Sequence, residues 1–417
     1  MSLPFTTRII QTGARDILAH DRARAQKLLA GLHPHGPAAF HAVELRRRSK
    51  RHHHKGGATG GGSTGGAGSD PSGGDAGDSI DVTDAAVTYT ASVGVGSPAT
   101  QYTLLIDTGS SNTWVGAGQK YTRTSTSKST GQKVNVSYGS GSFSGTEYTD
   151  QVTLSSELVI QNQSIGVAST AQGFDDVDGI LGIGPVDLTE GTVGSNQPVP
   201  TVTDNLFSQG TIGTESIGIS YVPTTDSSGN ASVNGELDFG SVDTSKITGD
   251  VNYVPITSTS PASQYWGIDQ TISYGSDGSP ILNSSGIVDT GTTLILIATD
   301  AFQEYQRATG AKLDQSTGLL TVTESQFNNL QSLFFNVGGV SYELTPNAQI
   351  WPRSLNSTLG GNENDIYLVV SDLGSQSGQG LDFINGFTFL QRFYSVFDTT
   401  NSQVGLATTP FTDATTN

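Results

Sequence analysis

The stretch LLIDTGSSNTWVGA, residues 104–117, decides how the rest of the chain is interpreted. Three apolar residues predict a buried strand, and Asp107 directly after them places a carboxylate at the edge of a core. The same arrangement recurs in GIVDTGTTLIL, residues 286–296, where two apolar residues lead into Asp289. A single Asp-Thr-Gly is weak evidence, because an ordinary strand-ending turn can carry it. Two copies, 182 positions apart and each followed by a hydroxyl residue, indicate a paired-carboxylate site.

Composition narrows the chemistry further. The chain of 417 residues is long enough for two domains, and its low charged fraction of 14% with 53 glycines favours an all-β class. The absence of cysteine excludes a thiol nucleophile, disulfides and thiolate metal sites. All seven histidines lie within the first 54 residues, so the body of the chain can form neither a Ser-His-Asp triad nor a His-ligated zinc centre. Carboxylates remain as the acid and base groups, and we expect no metal or other cofactor.

Charge is divided unevenly along the chain. Residues 1–55 contain 11 Lys/Arg and 3 Asp/Glu, a net charge of +8, whereas residues 56–417 contain 9 and 35, a net charge of −26. An acidic body argues against nucleic acid as a partner and suits a protein that works at low pH. We expect the basic leader to cover the acidic body at neutral pH, with a Lys or Arg near the two aspartates.

The N-terminal region has no apolar run long enough for a signal peptide or a membrane span, so no membrane partner is expected. Either the signal is missing from this sequence or the protein is intracellular. Five N-glycosylation sequons favour secretion, with a vacuole as the other destination, although chance can produce them in a Ser/Thr-rich chain. The sequons begin at Asn135, Asn162, Asn230, Asn283 and Asn356.

The leader itself shows three patterns. The periodicity predicts a helix over residues 14–32 with one apolar stripe and polar residues opposite, either a small surface helix or part of a prosegment. The stripe is Leu18, Ala25, Leu29 and Leu32, and the opposite face carries Asp16, Arg24 and Lys27. Residues 46–55, RRRSKRHHHK, contain a dibasic processing site at 48–51, or alternatively a nuclear-localisation, heparin-binding or adventitious metal segment. Residues 56–79, with 11 glycines in 24 positions, are expected to be a flexible tether.

From residue 80 onward the pattern changes to short strands. Alternation over 87–95, a turn at 96–98 and a return strand at 102–106 predict the hairpin that carries Asp107. Residues 133–150 predict a second hairpin with Tyr-Gly-Ser-Gly at its tip. This hairpin either has a functional role or is an ordinary exposed hairpin with a cross-strand tyrosine.

The two Asp-Thr-Gly loops and this hairpin resemble the pepsin-like aspartic proteinases, and among them the cysteine-free polyporopepsin-like secreted enzymes of wood-decay fungi. The resemblance runs from about Val82 to Thr408 and implies a bilobal all-β acid-protease fold with a cleft between two pseudo-symmetric lobes. It divides the chain into a basic prosegment (1–55), a Gly/Ser-rich linker (56–79), an N-terminal lobe with Asp107 and the flap (80–255), and a C-terminal lobe with Asp289 (256–417). In this arrangement residues 265–268 mark the entry to the second lobe, and residues 393–406 are a closing hairpin typical of the family. Residues 300–310 predict a helix with Asp300 near its N-terminus.

The resemblance assigns roles to individual residues. Asp107 and Asp289 would share one proton and activate a water molecule that attacks the peptide bond directly. Supporting contacts would come from the Ser110 and Thr292 hydroxyls, the Gly109 and Gly291 amides, and a Thr108–Thr290 tie between the loops. Substrate would be held by Tyr138, Gly139, Ser140 and Gly141 of the flap, by Thr293, and by a pocket of Leu105, Tyr138 and Ile180. Trp114 would hydrogen-bond the Tyr138 hydroxyl.

An apolar element lies beneath each catalytic loop in the family, and the second of these elements departs from the family pattern in this chain. Residues 178–184, DGILGIG, match the apolar-apolar-Gly element that supports the first loop. In the corresponding segment 383–386, Asn385 replaces the expected apolar residue, which leaves the packing under the second loop open but not the chemistry.

The sequence therefore predicts an aspartic endopeptidase, synthesised as a zymogen, monomeric, sensitive to pepstatin and active on protein or peptide substrates at acidic pH. Large hydrophobic residues should flank the bond that is cut. The alternatives are a catalytically inactive pepsin-like peptide-binding protein and a carbohydrate-binding β module. The second alternative would require the paired Asp-Thr-Gly loops to have arisen by chance.

Overall fold

The computed structural model describes residues 1–9, 13–31, 87–174, 176–195, 197–223 and 232–417. The predicted basic block, the Gly-rich tether, Leu32 and the sequon at Asn230 lie outside the described residues.

The described residues form mainly strands, in agreement with the predicted all-β class. The strands are β1 (Ser2–Ile9), β2 (Val87–Val95), β3 (Thr100–Asp107), β4 (Trp114–Val115), β5 (Lys128–Ser137), β6 (Ser142–Thr153), β7 (Val159–Gln172), β8 (Gly179–Gly182), β9 (Ser216–Tyr221), β10 (Ser232–Phe239), β11 (Asn252–Pro255), β12 (Gly267–Tyr274), β13 (Pro280–Val288), β14 (Ile295–Ile297), β15 (Lys312–Leu313), β16 (Leu320–Val322), β17 (Leu333–Val337), β18 (Val340–Leu344), β19 (Ile366–Tyr367), β20 (Val370–Asp372), β21 (Phe383–Asn385), β22 (Phe393–Asp398) and β23 (Gln403–Thr408). The α-helices are α1 (Ala14–Leu29), α2 (Val202–Ser208), α3 (Thr299–Thr309), α4 (Glu324–Phe327) and α5 (Phe387–Leu390).

Three sheets organise these strands. The largest has the order β11-β23-β22-β9-β10-β1-β2-β3-β8-β4-β7-β6-β5, the second has the order β18-β17-β12-β13-β21-β14-β20, and the third is β15-β16-β19. The closing hairpin predicted near the C-terminus is β22–β23, and it joins the sheet that also carries Asp107. The second sheet carries the strand that leads to Asp289.

The two strands that lead to Asp107 and Asp289 have equivalent surroundings. β3 pairs antiparallel with β2 and parallel with β8, and β13 pairs antiparallel with β12 and parallel with β21. The side chains of β2 alternate as predicted, with Tyr89, Ala91, Val93 and Val95 buried. A strand that is covered on both sides and ends in a polar loop holds that loop at a fixed place. The same three-strand unit therefore presents an aspartate in each half of the chain.

The N-terminal leader differs most from the simplest expectation. β1 is inserted between β10 and β2 as an integral strand of the large sheet. Helix α1 is not a small surface helix, because its buried residues cover more than one apolar stripe and include two charged side chains. These residues are Ala14, Ile17, Leu18, Asp21, Arg24, Ala25 and Leu28. Among the described residues, no helix combines the length and the apolar character needed to cross a membrane.

Candidate active site

The two Asp-Thr-Gly loops meet at the junction of the two sheets. Asp107 ends β3 and Asp289 follows β13 directly. The Thr108 backbone N–H donates to Thr290 Oγ1 at 3.0 Å, and the Thr290 backbone N–H donates to Thr108 Oγ1 at 2.9 Å. This reciprocal pair matches the predicted tie between the loops. It holds two carboxylates from positions 182 residues apart on one site, and both are fully buried.

Each carboxylate is supported by its own loop. The Ser110 hydroxyl donates to Asp107 Oδ2 at 2.5 Å, and the Thr292 hydroxyl donates to Asp289 Oδ2 at 2.7 Å. The backbone amides of the two loop glycines, Gly109 and Gly291, donate to the Oδ1 atoms at 3.0 Å and 3.1 Å. The supporting contacts lie where they were expected. Because hydrogen bonds to the charged form favour ionisation, both loops are built to hold a carboxylate.

Glycine is required in both loops by close approach across the site. A Cβ atom on Gly109 would lie 2.7 Å from Asp289 Oδ1, and one on Gly291 would lie 2.8 Å from Asp107 Oδ1. Contacts that short would push the two aspartates apart. The glycines of the two Asp-Thr-Gly loops therefore allow the carboxylates to lie close together, and their backbone amides also support the carboxylates.

The space between the carboxylates is occupied by Arg24 of α1. Arg24 Nε donates to Asp289 Oδ2 at 2.6 Å, one terminal nitrogen donates to Asp289 Oδ1 at 2.9 Å, and the same nitrogen donates to Asp107 Oδ1. Burial disfavours both charges, but the adjacent opposite charges hold the pKa of Arg24 above its usual value and that of Asp289 below it. The expected Lys or Arg near the two aspartates is thus Arg24, in a bidentate geometry with Asp289.

Further contacts fix α1 along the second lobe. Asp21 is fully buried, and its carboxylate accepts from the backbone N–H groups of Thr293, at 3.1 Å, and Leu294, at 2.8 Å. Arg22 donates to the Asp372 carbonyl at 3.0 Å and lies 3.4 Å from its carboxylate. Thr293, a predicted substrate-binding residue, is therefore engaged by the leader.

The hairpin predicted over residues 133–150 is formed, and its role as a flap stays a prediction. β5 and β6 make the hairpin, and residues 138–141 make its tip, where the Tyr138 N–H donates to the Gly141 carbonyl at 2.7 Å and the Ser140 N–H donates to the Tyr138 carbonyl at 2.7 Å. Lys27 of α1 lies over the Tyr138 ring, 4.9 Å from its centroid. Burial, together with the charge of Arg24, lowers the pKa of Lys27 well below its usual value. The flap is therefore closed on the helix.

The Trp114 side chain interacts with the Tyr138 hydroxyl, as expected, but outside strict hydrogen-bonding geometry. The two rings lie 6.5 Å apart, and within the described residues neither the Trp114 Nε1–H nor the Tyr138 hydroxyl has a partner at hydrogen-bonding geometry. Trp114 also stacks on Phe143, with centroids 4.2 Å apart, while Lys27 covers Tyr138. The flap tyrosine is positioned here by the leader and by ring packing.

The three side chains predicted to line one specificity pocket belong to a single cluster. Ile180 and Tyr138 are buried in it, and Leu105 packs against it from a partly buried position. β8, which contains Ile180, runs parallel to β3 beneath the first catalytic loop, as predicted for residues 178–184. The pocket function itself stays a prediction.

Asn385, the residue that departs from the family pattern, is fully buried beneath the second catalytic loop. Its side-chain amide donates to Gln270 Oε1 at 2.9 Å and accepts from Gln270 Nε2 at 3.2 Å. A buried amide that is paired in both directions avoids the cost of unsatisfied polar groups. The packing left open by the sequence is therefore resolved by a partner 115 residues away.

Sequence reasoning missed Asp21 and Gln270 altogether and placed Arg24 on the polar face of the helix. The sequence did contain a signal for Asp21 and Arg24. Ile17, Asp21, Arg24 and Leu28 follow the spacing of one helical face, so two charges interrupt an apolar stripe. Charged residues within such a stripe indicate burial against opposite charge or backbone donors.

Two further features bear on the predictions for metal binding and glycosylation. Among the described residues, a group that could hold a cation is Glu236, Asp238 and Asp243, but Glu236 already pairs with Lys246 at 3.1 Å. The sequon residue Asn356 is buried, and its amide nitrogen donates to three backbone carbonyls, the shortest contact being 2.7 Å.

Comparisons with known proteins agree with this geometry. The family model for eukaryotic aspartyl protease matches residues 88–409. The chain is 63% identical over 344 residues to polyporopepsin of Irpex lacteus, covering 82% of this chain and all of that protein, and 31% identical to pepsin A of Sus scrofa, covering 76% of this chain and 80% of that one. The crystal structure of the aspartic proteinase from Irpex lacteus matches with a TM-score of 0.76 and 64% identity, covering 79% of this chain and 96% of the other. The chain therefore belongs to the eukaryotic aspartyl protease family and is an aspartic-type endopeptidase with the bilobal pepsin-like fold.

Proposed function

We propose that the full chain is the inactive precursor of an acid endopeptidase, in which α1 occupies the substrate cleft. The observation that carries this proposal is the placement of Arg24 between the two aspartates. A guanidinium bound to both carboxylates excludes the water that must be activated there. It also works against the carboxyl proton that the mechanism needs, because the positive charge of Arg24 outweighs burial and holds the pKa of Asp289 below its usual value.

Once the leader has gone, Asp107 and Asp289 become the catalytic pair. Two buried carboxylates joined through the Thr108–Thr290 tie cannot both stay ionised without Arg24, so they retain one shared proton under acidic conditions. The ionised aspartate takes a proton from water as it attacks the peptide carbonyl, and the protonated aspartate donates to the carbonyl oxygen. The loop hydroxyls and amides hold both acids in position throughout.

The leader also indicates how substrate is bound. Asp21 accepts from the backbone N–H groups of Thr293 and Leu294, which are donors that the carbonyl groups of an extended peptide can use instead. On the other side, Tyr138, Leu105 and Ile180 offer an apolar wall. We therefore propose main-chain recognition of many sequences, with large hydrophobic residues preferred beside the bond that is cut.

The setting of the enzyme follows from the same reasoning. We propose that it is secreted, acts as a monomer and loses its leader at acidic pH, either by its own activity or by cleavage at the dibasic site around Lys50–Arg51. The strong charge asymmetry between leader and body supports a precursor that is stable at neutral pH.

Casein digestion between pH 3 and pH 5, with and without pepstatin, tests the activity. Mass spectrometry of full-length protein moved from pH 7 to pH 4 tests the conversion, which should release the leader. Asp107→Asn and Asp289→Asn should each abolish hydrolysis while the protein stays folded, because neither acid has a substitute. Retention of more than a few per cent of wild-type kcat by either variant would contradict the assignment.

A further inference from the structure

The buried amide pair Gln270–Asn385 lies on the two strands that flank the catalytic strand of the second lobe. Gln270 belongs to β12 and Asn385 to β21, and both strands pair with β13, whose end carries Asp289. The two reciprocal hydrogen bonds therefore join the neighbours of β13 across it. Both side chains are buried, with at most 3% of their surface exposed.

In the first lobe, apolar residues occupy the positions equivalent to Gln270 and Asn385. Val93 of β2 pairs with the residue five before Asp107, just as Gln270 pairs with the residue five before Asp289. Leu181 of β8 pairs with the residue before Asp107, just as Asn385 pairs with the residue before Asp289. Val93 and Leu181 are fully buried. The fold thus does not need a polar pair at this place.

A buried polar pair adds little stability over an apolar one, but its hydrogen bonds restrict the geometry more tightly than apolar packing does. The restriction reaches the catalytic loop directly, because the Asn385 backbone carbonyl accepts from the Asp289 backbone N–H at 3.2 Å. Locking the Asn385 side chain to Gln270 fixes the strand that carries this carbonyl. Small displacements of a catalytic group are costly in rate even when folding is unaffected.

We propose that Gln270 and Asn385 are positioning residues that fix the orientation of Asp289, which gives the two chemically identical acids different degrees of restraint. The inference rests on the proposed catalytic role of Asp289. It predicts that the amide pair affects turnover and its pH dependence more than stability or substrate binding.

The test replaces the pair by the residues of the first lobe, in the double variant Gln270→Val/Asn385→Leu. Leader-free enzyme is counted by pepstatin titration, and kcat, KM, the pH profile of kcat and the midpoint of thermal unfolding are measured. We expect kcat to fall by about 10- to 100-fold with a shifted pH profile, while KM stays within about twofold. The single variants should unfold at a lower temperature than the double variant, because each leaves one amide buried without its partner.

Two controls make the outcome specific. Thr271→Val removes a hydrogen bond between β12 and β13 on the exposed side, to Asn283 at 3.2 Å, and should leave kcat unchanged. The exchanged pair Gln270→Asn/Asn385→Gln keeps both amides and should restore kcat to within about threefold of the wild type, which decides the question if the apolar double variant does not fold.

Wild-type kcat and pH profile in the folded apolar double variant would overturn the inference, as would a folded exchanged pair with kcat at least 10-fold below the wild type. An active Asp289→Asn enzyme would instead overturn the proposed function on which the inference rests.

Discussion

Replacing Arg24 by Met tests whether the leader inhibits through its contact with the two aspartates. Methionine keeps much of the unbranched aliphatic stem and removes the charge and all three hydrogen bonds to Asp107 and Asp289. The variant leaves two buried carboxylates facing each other, with Lys27 as a remaining nearby cation. We expect the leader to be displaced more readily and the protein to convert to active enzyme faster.

The size of the expected effect follows from the burial of the ion pair between Arg24 and the two aspartates. Removing one partner of a buried ion pair costs about 3–5 kcal/mol, which at 1.4 kcal/mol per factor of ten is about 100- to 4,000-fold in the equilibrium between covered and open cleft. Part of this is recovered at acidic pH, because one carboxylate then takes up a proton. At pH 5.5 we therefore expect the lower end of the range, about 100-fold.

The wild-type contact should also set the pH of conversion. The pKa of Asp289 is lowered in the covered form, where its own burial is opposed by Arg24. In the open cleft one of the two acids keeps a proton under acidic conditions, so the depressed pKa stabilises the covered form most above the pKa of the open pair, and this contribution is lost as the pH falls through the lowered value. Arg24→Met should consequently convert at a higher pH than the wild type.

The assay is intact-mass spectrometry of full-length protein over time at pH 5.5, with pepstatin in a parallel sample to identify self-conversion. Arg22→Met is the matched control, because Arg22 is an arginine of the same helix whose partly exposed side chain lies 3.4 Å from the Asp372 carboxylate. An exposed pair is worth about 0–1 kcal/mol and the hydrogen bond to the Asp372 carbonyl about 1 kcal/mol, so this control should change the rate by at most about 30-fold. An Arg24→Met protein that converts as slowly as the wild type, or no faster than Arg22→Met, refutes the inhibitory role of the contact.

Three further predictions concern other parts of the molecule. Burial raises the pKa of Glu147 to about 7, so the free energy of unfolding should fall as the pH rises from about 4.5 through 7 and this buried carboxyl loses its proton. Glutamine has no proton to lose, so the fall should be about 3 kcal/mol smaller in Glu147→Gln, measured by urea titration at both ends of the interval. Ser140→Asp should speed cleavage after lysine, since a carboxylate at the flap tip can pair an ammonium group; peptide-library profiling in which the wild type already prefers lysine would refute this. Peptide mapping should find Asn356 unglycosylated, because its amide nitrogen is buried and hydrogen-bonded, whereas Asn162 is exposed and free to be modified.

The sequence was sufficient for features that depend on local pattern. The strand before Asp107, the flap hairpin and helix α3 all appear where periodicity and turn residues predicted them. The second aspartate was found because the same local motif is repeated. In each case the decisive residues are neighbours in the chain, so their structural consequence can be read without knowing the fold.

Features that depend on distant partners could not be predicted in the same way. Helix periodicity identified α1, but it assigned Arg24 to a polar face, because the opposite charges that bury it come from residues 83 and 265 positions away. Asn385 appeared to be a defect in an apolar element, since its partner Gln270 is recognisable only once β12, β13 and β21 are known to be neighbours. A buried polar residue is interpretable only together with the group that satisfies it.

Under the proposed function, the partners of these buried polar groups also explain how the same fold can hold the leader in its cleft before activation and a substrate afterwards. Arg24 satisfies the two aspartates, and Asp21 satisfies the backbone amides of Thr293 and Leu294, so loss of the leader leaves acids and donors without partners in the cleft. An extended peptide and a water molecule offer the groups that replace them. The Gln270–Asn385 pair belongs to the body of the chain and stays intact when the leader leaves. Under the proposed function, the leader therefore occupies the contacts that a substrate would make, while the element proposed to position Asp289 does not depend on the leader.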